Sequence, residues 1–206
     1  MRRATSSSLL ALSALAMAAA PPAVYAQQAD PAAATIDKFD AAVLDVMKQA
    51  KKLGPRGRFE ALQPVIERTF DLPAMTRFAV GSAWNTLSAE DRAALVKAFT
   101  RMTVATYAHN FDSYGGEKFT LEKVDTRGLD KLVHTRLTGS GAPTELAYRM
   151  RQDAGSAWKV IDVYYNSTVS SLLGQRSEYA GTLSSGGVQA LIKKLNSRAD
   201  QLIQSR

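Results

Sequence analysis

The chain has 206 residues, no cysteine, and 26 basic against 19 acidic residues, for a net charge of +7. The missing thiols exclude a disulfide framework, thiolate zinc sites and a cysteine nucleophile. Charges of both signs are interspersed, without the basic block that grips nucleic acid.

Arg2 and Arg3, an apolar run from Leu9 to Ala20 and small residues before a cut after Ala26 read as a secretory signal. The run is shorter than the ~20 residues of a membrane span, so it reads as a cleaved leader rather than an anchor. Losing it takes the basic count from 26 to 24 and the net charge from +7 to +5. Gln27 to Ala34 is Ala/Pro-rich and reads as a flexible leader, so residues 35–206 form a single domain by length.

Thr35 to Leu53 is predicted helical, with Phe39, Val43, Val46, Met47, Ala50 and Leu53 at helical spacing and Gly54-Pro55 as its stop. A second helix runs from about Gly57 to Phe70, with Pro64 expected to kink it. Asp71 caps a third, short helix carrying Met75, Phe78 and Val80, with Pro73 at an early position that suits it. Ser88 starts the longest helix, to about Tyr114, with Leu95, Phe99, Met102, Thr106 and Phe111 on or near one stripe and Tyr107 beside it.

The period then changes to two. Phe119 to Val124, Leu132 to Thr138, Glu145 to Arg151 and Trp158 to Tyr165 read as four antiparallel strands. In the last hairpin, Leu146, Tyr148 and Met150 share one face, and Asp153 to Ser156 make the turn, with Gly155 free to take positive φ. The final strand is apolar on both faces: Trp158, Val160 and Tyr164 one way, Ile161, Val163 and Tyr165 the other. Such a strand belongs in a sheet covered on both sides or facing a cavity. Which face continues Leu146, Tyr148 and Met150 depends on a register the sequence does not give. Short helical pieces from Ser170 to Tyr179 and an amphipathic helix from Val188 to Leu202 complete the chain. Helices, then strands, then helices imply an α+β domain with helices packed on a sheet face.

No catalytic constellation emerges. His109 and His134 lack ligand spacing, and there is no G-x-S-x-G, H-E-x-x-H or phosphate loop, so no cofactor or metal is expected. Asp162 stands out because it lies mid-strand among apolar residues, where a carboxylate is costly unless paired. Its structural reading is a salt bridge to Arg149 or Arg151, or a place at an open sheet edge. Its functional reading is a general base in an apolar pocket. What is abundant is adaptable apolar material that could line a cavity between sheet and helices. Met75, Phe78, Phe99, Met102, Tyr107, Leu146, Tyr148, Met150, Val163 and Tyr165 are its candidate lining.

Four runs carry a resemblance: FDLPAMTRFAVGSAWNTLS, RMTVATYAHNFDSYGG, YRMRQDAGSAWKVIDV and QRSEYAGTLSSGGVQALIKKL. In that order they resemble the toluene-tolerance family of periplasmic lipid carriers, similar to the soluble shuttle of the maintenance-of-lipid-asymmetry system. Phe111 to Tyr114 with Gly116, and Gln175 to Ser177 followed by Ser185-Gly186-Gly187, look closest to the hopanoid-biosynthesis-associated branch. The resemblance implies an NTF2-like roll whose cavity holds lipid tails. It further implies a periplasmic shuttle between inner and outer membranes, with hopanoid the favoured cargo and phospholipid the other. The partners implied are an inner-membrane lipid transporter complex and transient membrane contact. Burying one chain of about 14 methylenes at ~0.8 kcal/mol each is worth roughly 11 kcal/mol before entropy costs, enough to hold a lipid in water. Two other readings stay open. One is an isomerase-like enzyme on the same roll, using Asp162 as base with Tyr148 or Tyr164, which requires Asp162 to face the cavity. The other is an adaptor of a transport complex with a solid core and no ligand.

Overall fold

The computed structural model describes residues 30–204 except Ser140 and Ser167. The expected signal sequence and its cut lie outside the described residues. Helix α1 (Pro31–Lys48) starts earlier than Thr35, because Asp30 is its cap: its carboxylate accepts from the Ala32 and Ala33 amides. Ala32 and Ala33 are buried, so the part of the presumed leader from Pro31 onward belongs to the domain. Helix α2 (Ala50–Thr69) is bent at Gly54, whose φ of 63° breaks the helix just before Pro55. It then runs on through Pro64 with helical dihedrals.

Helix α3 (Leu72–Val80) is capped by Asp71, which accepts from the Ala74 amide at 3.0 Å, and a 3-10 turn (Gly81–Thr86) follows. Helix α4 (Ala89–Asn110) is capped by Ser88, which accepts from the Asp91 amide at 3.0 Å. Its far end is closed from outside. Buried Arg58 of α2 donates through Nε to the Ala108 carbonyl at 2.8 Å, satisfying one of the acceptors a helix end leaves open.

The sheet is a meander of β1 (Lys118–Arg127), β2 (Asp130–Thr138), β3 (Thr144–Gln152), β4 (Trp158–Tyr165) and β5 (Val169–Ser170), each antiparallel to the next. The short β5 is one strand more than the four expected. Helix α5 (Ser171–Gln204) leaves it directly and bends at Gly187, φ 69°. The result is the expected α+β, NTF2-like roll. In the β3–β4 turn the positive φ falls on Ser156 (64°) rather than on Gly155. Asp153 Oδ1 accepts from the amides of Gly155 and Ala157, both at 2.9 Å, and holds the turn in that form.

The register resolves the strand that is apolar on both faces. Leu146 pairs with Tyr165, Tyr148 with Val163 and Arg149 with Asp162, but Met150 pairs with Val160. Ile161 is thus the extra residue of a β-bulge. Simple alternation puts Val160 and Val163 on opposite faces; the bulge turns both toward the helices, and both are buried. The other face of the sheet is polar and paired. Arg136 bridges Glu122 (2.5 Å) and Glu145 (3.1 Å). Arg149 and Arg151 both grip Asp130, with contacts of 2.5 to 3.0 Å. Burial acts to raise the Asp130 carboxyl, but the hydrogen bonds from Arg151 and Arg149 outweigh it and hold it below the usual range.

Asp162 therefore has no arginine partner of the kind expected. It faces away from Tyr148 and Val163 and closes the start of α5. Its Oδ1 accepts from the amides of Val163 (2.8 Å) and Leu172 (3.2 Å), and its Oδ2 from Ser170 Oγ (2.6 Å). Ser170 Oγ in turn accepts from the Leu173 amide at 3.0 Å. Replacing Asp162 with Ala leaves these buried donors without an acceptor. Asp162→Ala is expected to lower unfolding free energy by about 2–3 kcal/mol in a denaturant titration, and Asp162→Asn by less.

Candidate functional site

The helix-facing side of β3 and β4 does not pack solidly against α4. Phe99, Met102, Thr103, Thr106, Tyr107 and Asn110 recur at steps of three and four, so one face of α4 presents all of them. That face lies over Leu146, Tyr148, Val163 and Tyr165. Two cavities remain between the layers. The first, about 240 Å³, is bounded by Phe99, Met102 and Thr103 of α4, Phe70 and Met75 from the α2–α3 side, and Ser171 and Gln175 of α5. The second, about 210 Å³, is bounded by Asn110, Phe111, Leu137, Thr144, Leu146 and Tyr148. Thr106, Tyr107, Val163 and Tyr165 line both, so the two cavities adjoin at these residues.

The walls are mostly apolar. Phe39, Phe70, Tyr107 and Tyr148 meet edge to face at 5.3 to 6.0 Å between ring centres, and Tyr107 stacks on Phe111 at 5.8 Å. These contacts fix the cavity walls in place. Thr106 Oγ1 donates back to the Met102 carbonyl at 2.9 Å, so this hydroxyl makes no demand on a ligand. Burial pushes the Tyr107 and Tyr148 phenols well above their ordinary range, so both stay neutral. Met75 and Met102 add unbranched, adaptable side chains to the first cavity.

The fold thus brings together eight of the ten candidates: Met75, Phe99, Met102, Tyr107, Leu146, Tyr148, Val163 and Tyr165. Met150 is fully buried and bounds neither cavity. The bulge sets it against Val160 in the solid part of the core. Phe78 lies on another face, 42% exposed, with the Arg176 guanidinium 5.3 Å from its ring centre. Three residues on from Met75, it falls past the edge of the buried stripe formed by Leu72, Met75, Thr76, Ala79 and Val80. The polar lining was not singled out from sequence: Thr103, Asn110, Thr144, Ser171 and Gln175. The spacing of Thr103 and Asn110 from Phe99 carried the signal. No periodicity marks Ser171, and Gln175 stood out only as the first residue of a run that carries the family resemblance.

Asp162 lies outside both cavities, with its oxygens engaged at the start of α5. The isomerase reading needed it inside. His134 sits on the polar side of the sheet, its Nε2 3.1 Å from Asp125 Oδ2. Among the described residues no cluster of three or more His, Asp or Glu could hold a metal ion, and no helix is long and apolar enough to cross a membrane.

One carboxyl does lie beneath the site. Asp40 of α1 is 5% exposed and faces the Tyr148 hydroxyl, which donates to its Oδ1 at 3.5 Å. Burial, reinforced by the charge of Asp37, pushes its pKa up to about 8, against the pull of the Tyr148 hydrogen bond. At neutral pH it is mostly protonated and adds little charge to the wall behind the second cavity.

A family model described as MlaC protein matches residues 37–197. The intermembrane phospholipid transport system binding protein MlaC of Haemophilus influenzae is 28% identical over 129 residues, 60% of each chain. The chain thus spans about 60% of the length of that relative. The solved phospholipid-binding protein from Ralstonia solanacearum, in complex with a phospholipid, superposes with a TM-score of 0.74. It is 22% identical, and the match covers 84% of this chain and 99% of that one. At that identity the likeness is one of fold.

The buried acid makes stability depend on pH. Between the ordinary aspartate pKa and about 8, the folded chain keeps a proton that the unfolded chain has released. Stability therefore falls as pH rises through this window. Asp40→Asn is expected to remove the dependence. The variant should exceed the parent by on the order of 2–4 kcal/mol at pH 8, with the gap shrinking toward pH 4, in thermal melts across that range.

Proposed function

The chain belongs to the MlaC family, and on that footing we propose that it carries phospholipid through the periplasm between inner and outer membranes. The pair of mostly apolar cavities that adjoin at Tyr107 and Tyr165 carries the reading. At 240 and 210 Å³, each is smaller than the ~300 Å³ at which small-molecule sites begin. Two small adjoining spaces suit flexible chains. A rigid fused-ring hopanoid, the cargo the sequence resemblance favours, suits them less well, so phospholipid takes first place. The Haemophilus relative is a phospholipid transport binding protein and the Ralstonia neighbour holds a phospholipid, and both support the choice.

In this reading the protein carries its ligand and does no chemistry on it. A lipid held by burial leaves slowly on its own, so an inner-membrane transporter complex loads or unloads the carrier during transient contact at the membrane. The adaptor reading expects a solid interior and gains nothing from the cavities over β3 and β4.

The test is lipid extraction and mass spectrometry on the full chain, purified from a Gram-negative envelope. Close to stoichiometric phospholipid is expected. Thr106→Trp puts an indole at the wall that both cavities share. It should cut bound phospholipid at least tenfold while leaving the circular dichroism spectrum unchanged. Protein that is consistently free of lipid, or a folded Thr106→Trp variant with a full load, would refute the carrier.

A further inference from the structure

The first cavity does not end at α5. Met102 and Gln175 line it on one side and, on the other, a groove of about 560 Å³ between α4 and the two arms of α5. The groove has a more mixed chemistry. Beside buried Tyr179 and Leu195 it is lined by Glu178, Lys194, Ser197, Arg198 and Gln201, and Lys194 Nζ bridges the arms to Glu178 at 2.8 Å. The apolar cavity and the charge-bearing groove thus adjoin at a neck lined by one thioether and one carboxamide.

The carboxamide is in an unusual state. Gln175 Oε1 is buried, and no donor among the described residues reaches it. An unpaired polar atom costs stability in the free protein. The thioether across the neck does not relieve it. By contrast, Thr106 beside it is satisfied within its own helix. A half-turn of the amide exchanges its oxygen with its NH2 group, so Gln175 can present two donors or one acceptor at this point. In a glycerophospholipid, the segment between dry acyl chains and a charged head group is a pair of ester linkages. Their carbonyl oxygens are acceptors only.

We propose that Gln175 is the polar anchor of the bound lipid: its amide donates to an ester carbonyl at the neck, with the acyl chains in the cavities and the head group in the groove between the arms of α5. The inference rests on the phospholipid-carrier reading and adds to it the residue that sets the depth of the ligand. It makes the protein selective for ester-linked glycerolipids over ether-linked ones of the same shape, because an ether oxygen is a poor acceptor and leaves the amide unpaired. Gln175 also becomes a residue whose removal helps the empty protein and harms the loaded one.

The experiment uses delipidated full chain and two phosphatidylglycerols of equal chain length, one diester and one diether, competing against a fluorescent fatty acid. The wild type should prefer the diester about fivefold to tenfold, one hydrogen bond in a buried site. Gln175→Leu should lower diester affinity by that factor, leave diether affinity unchanged, and raise the melting temperature of the lipid-free protein. Gln175→Met, unbranched and of similar length, should repeat the pattern if Leu perturbs packing. Equal affinity of the wild type for both lipids overturns the anchor. So does a preference that survives both substitutions, or a fall in lipid-free stability in both. Failure of the wild type to bind either lipid overturns the carrier reading itself, and the anchor with it.

Discussion

The bulge at Ile161 is the constraint on which the rest of the site depends. One extra residue in β4 lets Val160 and Val163 both face the helices, and it sends Asp162 to the opposite side. Two separate jobs follow from that single offset. Val160 closes the solid core against Met150, and its carbonyl accepts from the Asp71 amide at 2.9 Å, tying β4 to the start of α3. Val163 stays at the floor of the open region. Asp162, now outside, accepts from the Leu172 amide in the first turn of α5 and fixes where that helix leaves the sheet. Because Ser171 and Gln175 sit in the first turns of α5, the bulge also sets the wall that closes the first cavity.

The two faces of the sheet solve opposite problems. The outer face keeps its charges by pairing them across neighbouring strands, Glu122–Arg136–Glu145 and Asp130 with two arginines. Asp130 is buried and needs both arginines; the other groups are partly exposed and retain some hydration, so their pairing costs little. The inner face cannot afford a charge beside an apolar cavity. Its tyrosines remain neutral, and Asp40, the acid that reaches it, is held protonated by burial. A mostly apolar wall without charge selects by shape and apolar area, which is what long chains offer.

Much of this was legible in the chain itself. The caps at Asp71 and Ser88, the change from helical to alternating period after Gly116, and the stripe on α4 all rest on local chemistry, and local chemistry is written in sequence. The stripe named Phe99, Met102, Thr106 and Tyr107, and alternation on β3 named Leu146 and Tyr148. Three features were not legible, for one shared reason. The bulge, the partner of Asp162 and the place of Gln175 depend on register between segments distant in sequence or on where a helix meets a sheet. Parity alone put Val160 and Val163 on opposite faces. Proximity of charges alone offered Asp162 to Arg149 and Arg151, while Asp130, at the start of β2 and in register with Arg151, took both. Asp40 was hidden because it sits on an amphipathic helix, where an acid normally faces water.

Why the interior stays open over β4 but not over the rest of the sheet can be argued from side-chain volume. Where α1 and α2 supply Ile36, Phe39, Val43, Leu62 and Ile66, the layers meet and these residues are fully or almost fully buried. Over Val163, α4 supplies Thr103 and Thr106 instead, side chains too short to span the gap between layers. A Leu at either position would fill space at about 0.8 kcal/mol per buried methylene, so the short residues forgo stability that a solid core would gain. The aromatic contacts among Phe39, Phe70, Tyr107 and Phe111 hold the walls apart and prevent collapse into that gap. Stability is therefore concentrated beside α1 and α2, and the space over β4 is kept open by a frame that does not need the ligand to stand.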